Sequence, residues 1–238
     1  MNVALIFAGG TGQRMNTRAK PKQFLELYGK PIILYTLEHF EDHPEIDGIM
    51  IVCLTNWMDE LEHLIKRYDI NKVIDIVPGG NTGHESIYNG LSALESRCNP
   101  DDIVLIHDGV RPFITQELIS ANIAKVKECG TAITVEPAIE SIVQSDSGDL
   151  IDSVPRRNSM YTAKAPQSFR YGMIWEMYQQ ARKDNRLTID SAHLLSVYGI
   201  QMHTVKSPPN NIKITAPADY YIFRALYEAK ENQQILGM

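Results

Sequence analysis

A glycine-rich, basic stretch near the start of the chain has the residue types needed to bind a polyphosphate. The apolar run Val3 to Phe7 predicts a buried strand, and the glycines after it let the backbone turn sharply and approach a ligand closely. Backbone amides and positive side chains together replace the water around a phosphate chain. These residues are Gly9, Gly10, Gly12, Arg14, Arg18, Lys20 and Lys22. The alternative is a tight turn with solvated cations, but so many glycines and cations together exceed what a turn requires.

Two common phosphate-binding loops do not match this stretch. The third glycine of the dinucleotide fingerprint G-x-G-x-x-G would fall on Met15. No Gly-Lys-Ser or Gly-Lys-Thr follows to close a Walker loop. The stretch therefore belongs to neither class.

Apolar strands alternate with amphipathic helices over the first half of the chain. Strands are predicted at 3–7, 49–54, 73–77 and 103–106, with helices opening at 31, over 57–68 and around 87–94. This alternation predicts an α/β fold with a mainly parallel sheet, which binds ligands beyond the carboxyl ends of its strands. We therefore expect Gly9 to Lys22, Gly79 to Ser86 and Asp108 to Arg111 to meet at one edge.

The second half departs from that alternation. Helices are predicted over 115–129, 172–182, 190–198 and 217–232, and strands over 132–135 and 202–205. Between them, residues of about 138–158 alternate apolar and polar types around Ser147-Gly148-Asp149, which predicts a protruding β-arm. The arm is too short and polar to hold its own core, so we expect it to pack on another subunit; the alternative is a solvent-exposed hairpin. We predict one domain, 1–238, that includes this arm.

Composition excludes several classes of protein. At 238 residues, with 44% hydrophobic and 22% charged residues, the chain has the balance of a globular protein and no apolar run near the ~20 residues that span a bilayer. The net charge of -6 argues against general nucleic-acid binding. The three widely spaced cysteines, Cys53, Cys98 and Cys129, suggest reduced thiols. We expect a cytoplasmic protein without membrane insertion, since no secretory leader precedes Val3.

Five stretches along the chain carry a family resemblance. They are FAGGTGQRM with PKQF, GGNTGHESIYNGL, HDGVRPF, APQSF and NIKITAPAD. In this order and spacing they resemble the cytidylyltransferases that join a polyol phosphate to CMP, over nearly the whole chain. The resemblance implies a Rossmann-like nucleotidyltransferase fold, a homodimer joined by exchanged arms, CTP with Mg²⁺, and release of pyrophosphate.

The resemblance also implies a role for each residue that matches a family motif. Charge stabilisation at the reacting phosphates would fall to Arg14, Lys22 and Lys213. The nucleotide would be held by Ala8, Gly9, Gly10, Gly12, Gly79, Gly80 and Ser86. The acceptor would be bound by Asp108, Arg111, Ser141, Arg157, Asp190 and Thr215, with Asp108 also a candidate metal ligand. Arg157 would act across the dimer, and Arg18 and Lys20 would be solvated neighbours.

Structural alternatives exist for several of these residues. Ser86 also fits the first turn of a helix after a strand-to-helix turn. Asp108 and Arg111 also fit a structural ion pair. Asp190 also fits a helix cap, and Lys213 an exposed strand lysine. We give His107, at the end of a strand, no catalytic role.

Departures from the family pattern bear on the acceptor. Methylerythritol-phosphate enzymes usually have Asp-Thr followed two residues later by Lys, whereas this arm begins Glu140-Ser141-Ile142-Val143. The extra residue before Lys22, the HDGVRPF stretch and the closing helix resemble ribitol-type sequences. Gly83 stands where both branches commonly carry Arg, which leaves the outer nucleotide site in question.

Three functional hypotheses follow. The first is a cytidylyltransferase that makes CDP-ribitol from CTP and D-ribitol 5-phosphate, for a teichoic acid or capsule polymer. The second keeps this chemistry with 2-C-methyl-D-erythritol 4-phosphate as acceptor. The third is a nucleotide-binding regulatory module without turnover, against which the retained Arg14, Lys22, Asp108 and Lys213 argue.

Overall fold

The fold is built on one seven-stranded sheet with helices on both faces. The computed structural model describes residues 1–10 and 20–236, the last four by backbone alone. The strands are β1 (Asn2–Ala8), β2 (Glu26–Leu27), β3 (Lys30–Pro31), β4 (Gly48–Cys53), β5 (Val73–Pro78), β6 (Ile103–Asp108), β7 (Thr131–Pro137), β8 (Tyr161–Arg170) and β9 (Thr204–Lys206). The helices are α1 (Ile32–Glu41), α2 (Met58–Arg67), α3 (Gly83–Ala93), α4 (Gln116–Cys129), α5 (Tyr171–Lys183), α6 (Ser191–Val197) and α7 (Pro217–Leu236). The predictions for Gly12, Arg14 and Arg18 lie outside the described residues.

The sheet has the order β5-β4-β1-β6-β8-β7-β9, and β2 and β3 form a separate small hairpin. Strand β1 pairs in parallel with β4 and β6, β4 pairs in parallel with β5, and β7 with β9. Only β8, among the described strands of this sheet, runs antiparallel to both of its neighbours. The predicted α/β class and mainly parallel sheet are confirmed.

The two faces of β1 explain its continuous apolar sequence. Ala4 and Ile6 pack in the core with α1, α2 and α4, whereas Val3 and Leu5 pack in a second core with α3, α5 and α6. All four side chains are buried. A parallel strand covered on both faces has no polar side to display, and its carboxyl end is therefore held rigidly between two layers.

The arm differs from its prediction. Instead of two paired strands, it is an exposed loop closed by a single β-bridge between Gln144 and Ser153, with Gly148 in the left-handed conformation at its tip. Its sequence places too few residues with strong β-propensity opposite one another to extend the ladder. The arm therefore protrudes without a sheet of its own.

Candidate active site

A cavity of about 680 Å³ opens at the carboxyl ends of β1 and β6. Its walls combine four of the stretches singled out in the sequence, as strand order at a parallel sheet edge predicts. The predicted residues that line it are Ala8, Gly9, Gly10, Lys22, Gly80, Ser86, Asp108, Lys213 and Thr215. This is the largest concentration of predicted site residues in the described part of the chain.

The glycines let two strand ends approach each other. A Cβ on Gly9 would lie 3.0 Å from Ser86 Oγ, and a Cβ on Gly79 would lie 3.3 Å from the Gly9 Cα. Gly79 N donates to the Cys53 carbonyl at 2.7 Å, which ties the loop after β5 to the end of β4. Gly79 thus packs behind the cavity rather than lining it, because only a residue without a side chain fits there.

Ser86 lies in the first turn of α3 and stabilises the strand-to-helix turn before it, as the structural alternative predicted. Its hydroxyl donates to the Thr82 carbonyl at 2.8 Å and accepts from Gly80 N at 3.1 Å. Thr82 caps α3 by accepting from Glu85 N at 3.1 Å. The Ser86 hydroxyl therefore fixes the turn that forms one cavity wall, and it also lies on that wall.

Gln23 is a site residue to which the sequence analysis gave no role. Its side chain is 1% exposed. Its Nε2 donates to the Ala8 carbonyl at 2.5 Å and lies 3.4 Å from the Gly10 carbonyl. Lys22 begins a short 3-10 turn, and Phe24 at the end of that turn stacks on Trp57. Gln23 thereby joins the two ends of the basic loop and sets where Lys22 emerges.

Asp108 is the electrostatic centre of the site. It is 4% exposed, and its Oδ2 accepts from Arg111 Nε at 2.8 Å while Lys213 Nζ lies 2.5 Å from its Oδ1. Burial by itself raises the pKa of Asp108, but the charges of Lys213 and Arg111 outweigh burial and hold it well below its usual range. Arg111 also donates to the Asn211 carbonyl at 2.9 Å, which fits the structural role considered for it.

A second cavity, of about 270 Å³, adjoins the first. Phe7, Gly83, Asp108 and Lys213 line both cavities. The second cavity is also lined by Arg111, Ala163, Lys164, Ala165, Gln167, Asp190 and Ser191, among others. Lys164 and Gln167 had no predicted role, although the APQSF stretch that contains Gln167 was a signal.

Asp190 is confirmed as a helix cap. Its Oδ1 accepts from His193 N at 2.8 Å at the start of α6, and its Oδ2 accepts from Gln167 Nε2 at 3.1 Å. Because Asp190 also lines the second cavity, capping and ligand binding do not exclude each other.

Three other residues lie away from these cavities. Ser141 and Arg157 are exposed on the arm and line neither of the two cavities of their own chain. His107 is fully buried, with Nε2 3.3 Å from the Arg111 carbonyl, and burial lowers its pKa to about 3. His107 is therefore neutral near pH 7 and lines neither cavity.

The site fits a magnesium ion that is bound mainly by the phosphates of a ligand, with few ligands from the protein. Among the described residues, no group of three His, Cys, Asp or Glu side chains is arranged to hold a metal. Mg²⁺ commonly takes one or two carboxylate oxygens and fills its remaining positions with water and substrate phosphates. Asp108 is the carboxylate placed for this, because Lys213, 37% exposed at its side chain, can turn away from Oδ1 while Arg111 stays on Oδ2.

Comparison with known proteins agrees with this geometry. The family model IspD, 2-C-methyl-D-erythritol 4-phosphate cytidylyltransferase, matches residues 2–228. The chain belongs to this family. A ribitol-5-phosphate cytidylyltransferase of Vibrio parahaemolyticus is 49% identical over the full length of both chains. A 2-C-methyl-D-erythritol 4-phosphate cytidylyltransferase of Clostridium botulinum is 36% identical over 95% of this chain and 97% of its own.

The fold also matches a solved structure. The 4-diphosphocytidyl-2C-methyl-D-erythritol synthase of Anaerococcus prevotii superposes with a TM-score of 0.82, at 26% identity, over 95% of this chain and 96% of its own. The Rossmann-like nucleotidyltransferase fold implied by the motifs is confirmed. No helix in the described part of this family member is both long and apolar enough to cross a membrane.

Proposed function

We propose that this protein transfers CMP from CTP to D-ribitol 5-phosphate, giving CDP-ribitol and pyrophosphate. The observation that carries the chemistry is the pair of adjoining cavities that share Asp108 and Lys213. The larger cavity has the size and the glycine-rich wall for a nucleoside triphosphate, and the smaller one suits a phosphorylated polyol. Between them, an acceptor phosphate oxygen attacks the α-phosphorus, and the bond from this phosphorus to the oxygen that bridges the α- and β-phosphates breaks.

The residues in the proposed site act by position and charge. Two anions must approach each other, so the main tasks are to orient them and to stabilise the charge that builds up on the α-phosphate. Lys22 and Arg14 would face the triphosphate and Lys213 the reacting phosphates. Backbone groups from Ala8 to Gly10, with Gly12 and Gly80, would hold the nucleotide, and Gly79 would support this wall from behind. Asp108 would hold the Mg²⁺ that accompanies CTP, an ion that neutralises phosphate charge when bound.

The acceptor assignment is supported by the relatives and by the departures in the sequence. The relative with 49% identity is named for ribitol 5-phosphate, whereas the relative named for methylerythritol phosphate has 36% identity. The second cavity would hold the acceptor against Asp108, Asp190 and Arg111, with Thr215 near its phosphate. Methylerythritol phosphate is the second candidate, because the matching family model carries its name.

The arm supports a homodimer. Five of its apolar side chains are between 50% and 77% exposed: Ile139, Val143, Leu150, Ile151 and Val154. Such a set on one protruding loop is typical of a surface that another chain covers. We propose that each arm covers the second subunit and brings Arg157 and Ser141 to its acceptor cavity.

The proposed setting of the enzyme is the cytoplasm, in the synthesis of a cell-envelope polymer. The described cysteines form no disulfide, as expected in a reducing cytoplasm. The product would supply a ribitol-phosphate polymer of the teichoic acid or capsule type.

A pyrophosphate-release screen tests the proposed function. CTP is supplied with Mg²⁺ and, in separate reactions, ribitol 5-phosphate, methylerythritol 4-phosphate and other polyol phosphates, with ATP, GTP and UTP as nucleotide controls. We expect release with CTP and the fastest rate with ribitol 5-phosphate. CTP binding without product from any acceptor would instead favour a regulatory nucleotide-binding module.

A further inference from the structure

Asp219, in the first turn of α7, holds the segment that carries Lys213 and Thr215. Its Oδ2 accepts three hydrogen bonds, from Thr215 N at 2.7 Å, from Thr215 Oγ1 at 2.7 Å and from Ala216 N at 2.8 Å. An acidic residue at this position of a helix usually bonds only the backbone amide of the cap residue. The extra bonds to Thr215 go beyond what capping α7 requires.

The other side of this segment is also pinned. Ile214 N donates to the Val110 carbonyl at 3.0 Å, just after Asp108 on the neighbouring loop. Asn211, which is fully buried, donates from Nδ2 to the Ala165 carbonyl at 2.7 Å. Lys213 therefore lies between two anchored stretches. Asn211, whose carbonyl also accepts from Arg111 at 2.9 Å, precedes it, and the turn held by Asp219 follows it.

Asp219 also links this segment to Lys22. Burial alone raises the pKa of Asp219, but the hydrogen bonds from Thr215 and Ala216, together with the positive charge of Lys22, bring it below its usual range. Lys22 and Lys213 come from opposite ends of the chain and line the same cavity. Asp219 bonds the segment that carries Lys213, and its charge interacts with that of Lys22. It lines neither of the two cavities at the site.

We propose that Asp219 is a positioning residue for Lys213, one of the lysines that face the phosphates. Its carboxylate fixes the Thr215 turn so that Lys213 points into the cavity. The proposal rests on the proposed cytidylyltransferase function. It assigns Asp219 no contact with substrate, so its loss should lower kcat rather than the affinity for the acceptor.

The test is Asp219→Asn, with Glu228→Gln as a matched control on the same helix. Asparagine keeps the shape and one acceptor oxygen but removes the charge. Glu228 bonds Tyr28 and Arg224 on the surface, away from the cavity. We expect Asp219→Asn to lower kcat at least tenfold, with the KM for the polyol phosphate within twofold of wild type and the melting temperature within a few degrees. Glu228→Gln should change neither kinetic constant by more than twofold.

Other outcomes decide against the proposal. If Asp219→Asn and Asp219→Ala, which also removes the oxygen that accepts all three bonds, both keep kcat within twofold, Asp219 does not position the phosphate-facing residues. If Asp219→Asn does not fold, Thr215→Val, which removes one of the three donors, replaces it. It should lower kcat about threefold with the KM for the polyol phosphate within twofold, which separates lost positioning from a lost acceptor contact. An unchanged kcat, or a raised KM alone, would overturn the proposal. If the wild-type protein releases no pyrophosphate, the proposed function fails, and CTP binding by calorimetry replaces kcat. Asp219→Asn should then weaken CTP binding at least fivefold, and equal binding would reject the positioning role.

Discussion

Lys213 Nζ lies 2.5 Å from Asp108 Oδ1, at the boundary between the two cavities of the site. The two partners are not equivalent, because the Asp108 side chain is 6% exposed and that of Lys213 is 37% exposed. Arg111 stays on the other carboxylate oxygen. A phosphate that enters the cavity can therefore bind the Lys213 ammonium in place of Asp108, because Arg111 still balances the negative charge of Asp108.

Asp108→Asn is predicted to destabilise the fold. The substitution leaves the Arg111 guanidinium, 8% exposed as a residue, without its negative partner. Removing one member of a buried ion pair typically costs about 3 to 5 kcal/mol. Urea unfolding measures this loss. Glu128→Gln, which breaks the exposed pair with Lys125, is the control and should leave the midpoint unchanged. If Asp108→Asn lowered the free energy of unfolding by less than about 1 kcal/mol, Asp108 would not be the stabilising partner of Arg111.

Lys22→Ala is predicted to lower kcat by orders of magnitude and leave the fold intact. Removing one charge contact to a transition state typically costs about 3 to 4 kcal/mol of barrier stabilisation. Lys20→Ala is the matched control, because Lys20 is a nearby cation that pairs with Glu26 at 2.7 Å and does not line the cavity. Steady-state kinetics with CTP should separate the two variants. Equal activities would show that general positive charge, not Lys22 itself, matters.

Arg157→Ala is predicted to raise the KM for the acceptor and to be rescued in mixed dimers. Each subunit of a mixed dimer with Lys22→Ala would carry one defect, so one of its two sites would combine an intact Lys22 with an intact Arg157. Mixing the two impaired variants and letting their subunits exchange should restore part of the wild-type rate at a low acceptor concentration, where each variant alone is slow. Absence of rescue, with exchange verified by native mass spectrometry, would reject arm exchange.

Stability is predicted to fall as the pH drops from about 6.5 towards 4. Burial lowers the pKa of His107 to about 3 and that of His39 to about 4. Both histidines are therefore neutral in the folded protein at pH 5, whereas the unfolded chain takes up protons below its ordinary histidine pKa of about 6.5. Each such histidine reduces the free energy of unfolding by about 1.4 kcal/mol per pH unit in this range.

Urea unfolding at pH 7, 6 and 5 measures this dependence. His39→Gln should reduce the slope of stability against pH because it removes one titratable group. Glutamine can still make the contact that His39 Nε2 makes with the Pro112 carbonyl at 3.2 Å, so the fold should be kept. His63→Gln, at an exposed position on α2, should leave the slope unchanged. A flat profile in the wild type would show that His39 and His107 do not control stability in this pH range.

The sequence was sufficient to predict the parallel half of the sheet and the place of the site. Strands such as β1 and β4 are buried on both faces, so their apolar runs are continuous and their ends are marked by glycine or polar residues. The carboxyl ends of parallel strands share one edge. Residues as distant in sequence as Gly9 and Asp108 are therefore predicted to line one cavity.

Strand β8 could not be predicted in this way. Its sequence contains Pro166 and mixes polar with apolar residues, features that argue against a central strand. The register with β7 shifts between Ile133 and Val135, which pair with Gln167 and Ala163. Pro166 lies within this irregularity, where no ladder donor is needed. Long-range pairing thus overrides the local pattern.

The supporting residues of the site were missed for a related reason. Gln23 and Asp219 act through hydrogen bonds to backbone groups of other segments, to Ala8 in one case and to Thr215 in the other. A glutamine or an aspartate beside a motif carries no sign of which backbone group it meets. Only the packed structure brings these partners together.

A direct competition between acceptors tests the central claim. The protein is given CTP, Mg²⁺ and equal concentrations of ribitol 5-phosphate and methylerythritol 4-phosphate, and the two cytidine diphosphate products are quantified by phosphorus NMR and mass spectrometry at early times. Their ratio gives the ratio of kcat/KM for the two acceptors. We predict CDP-ribitol in at least tenfold excess, whereas an excess of the methylerythritol product would contradict the proposed function.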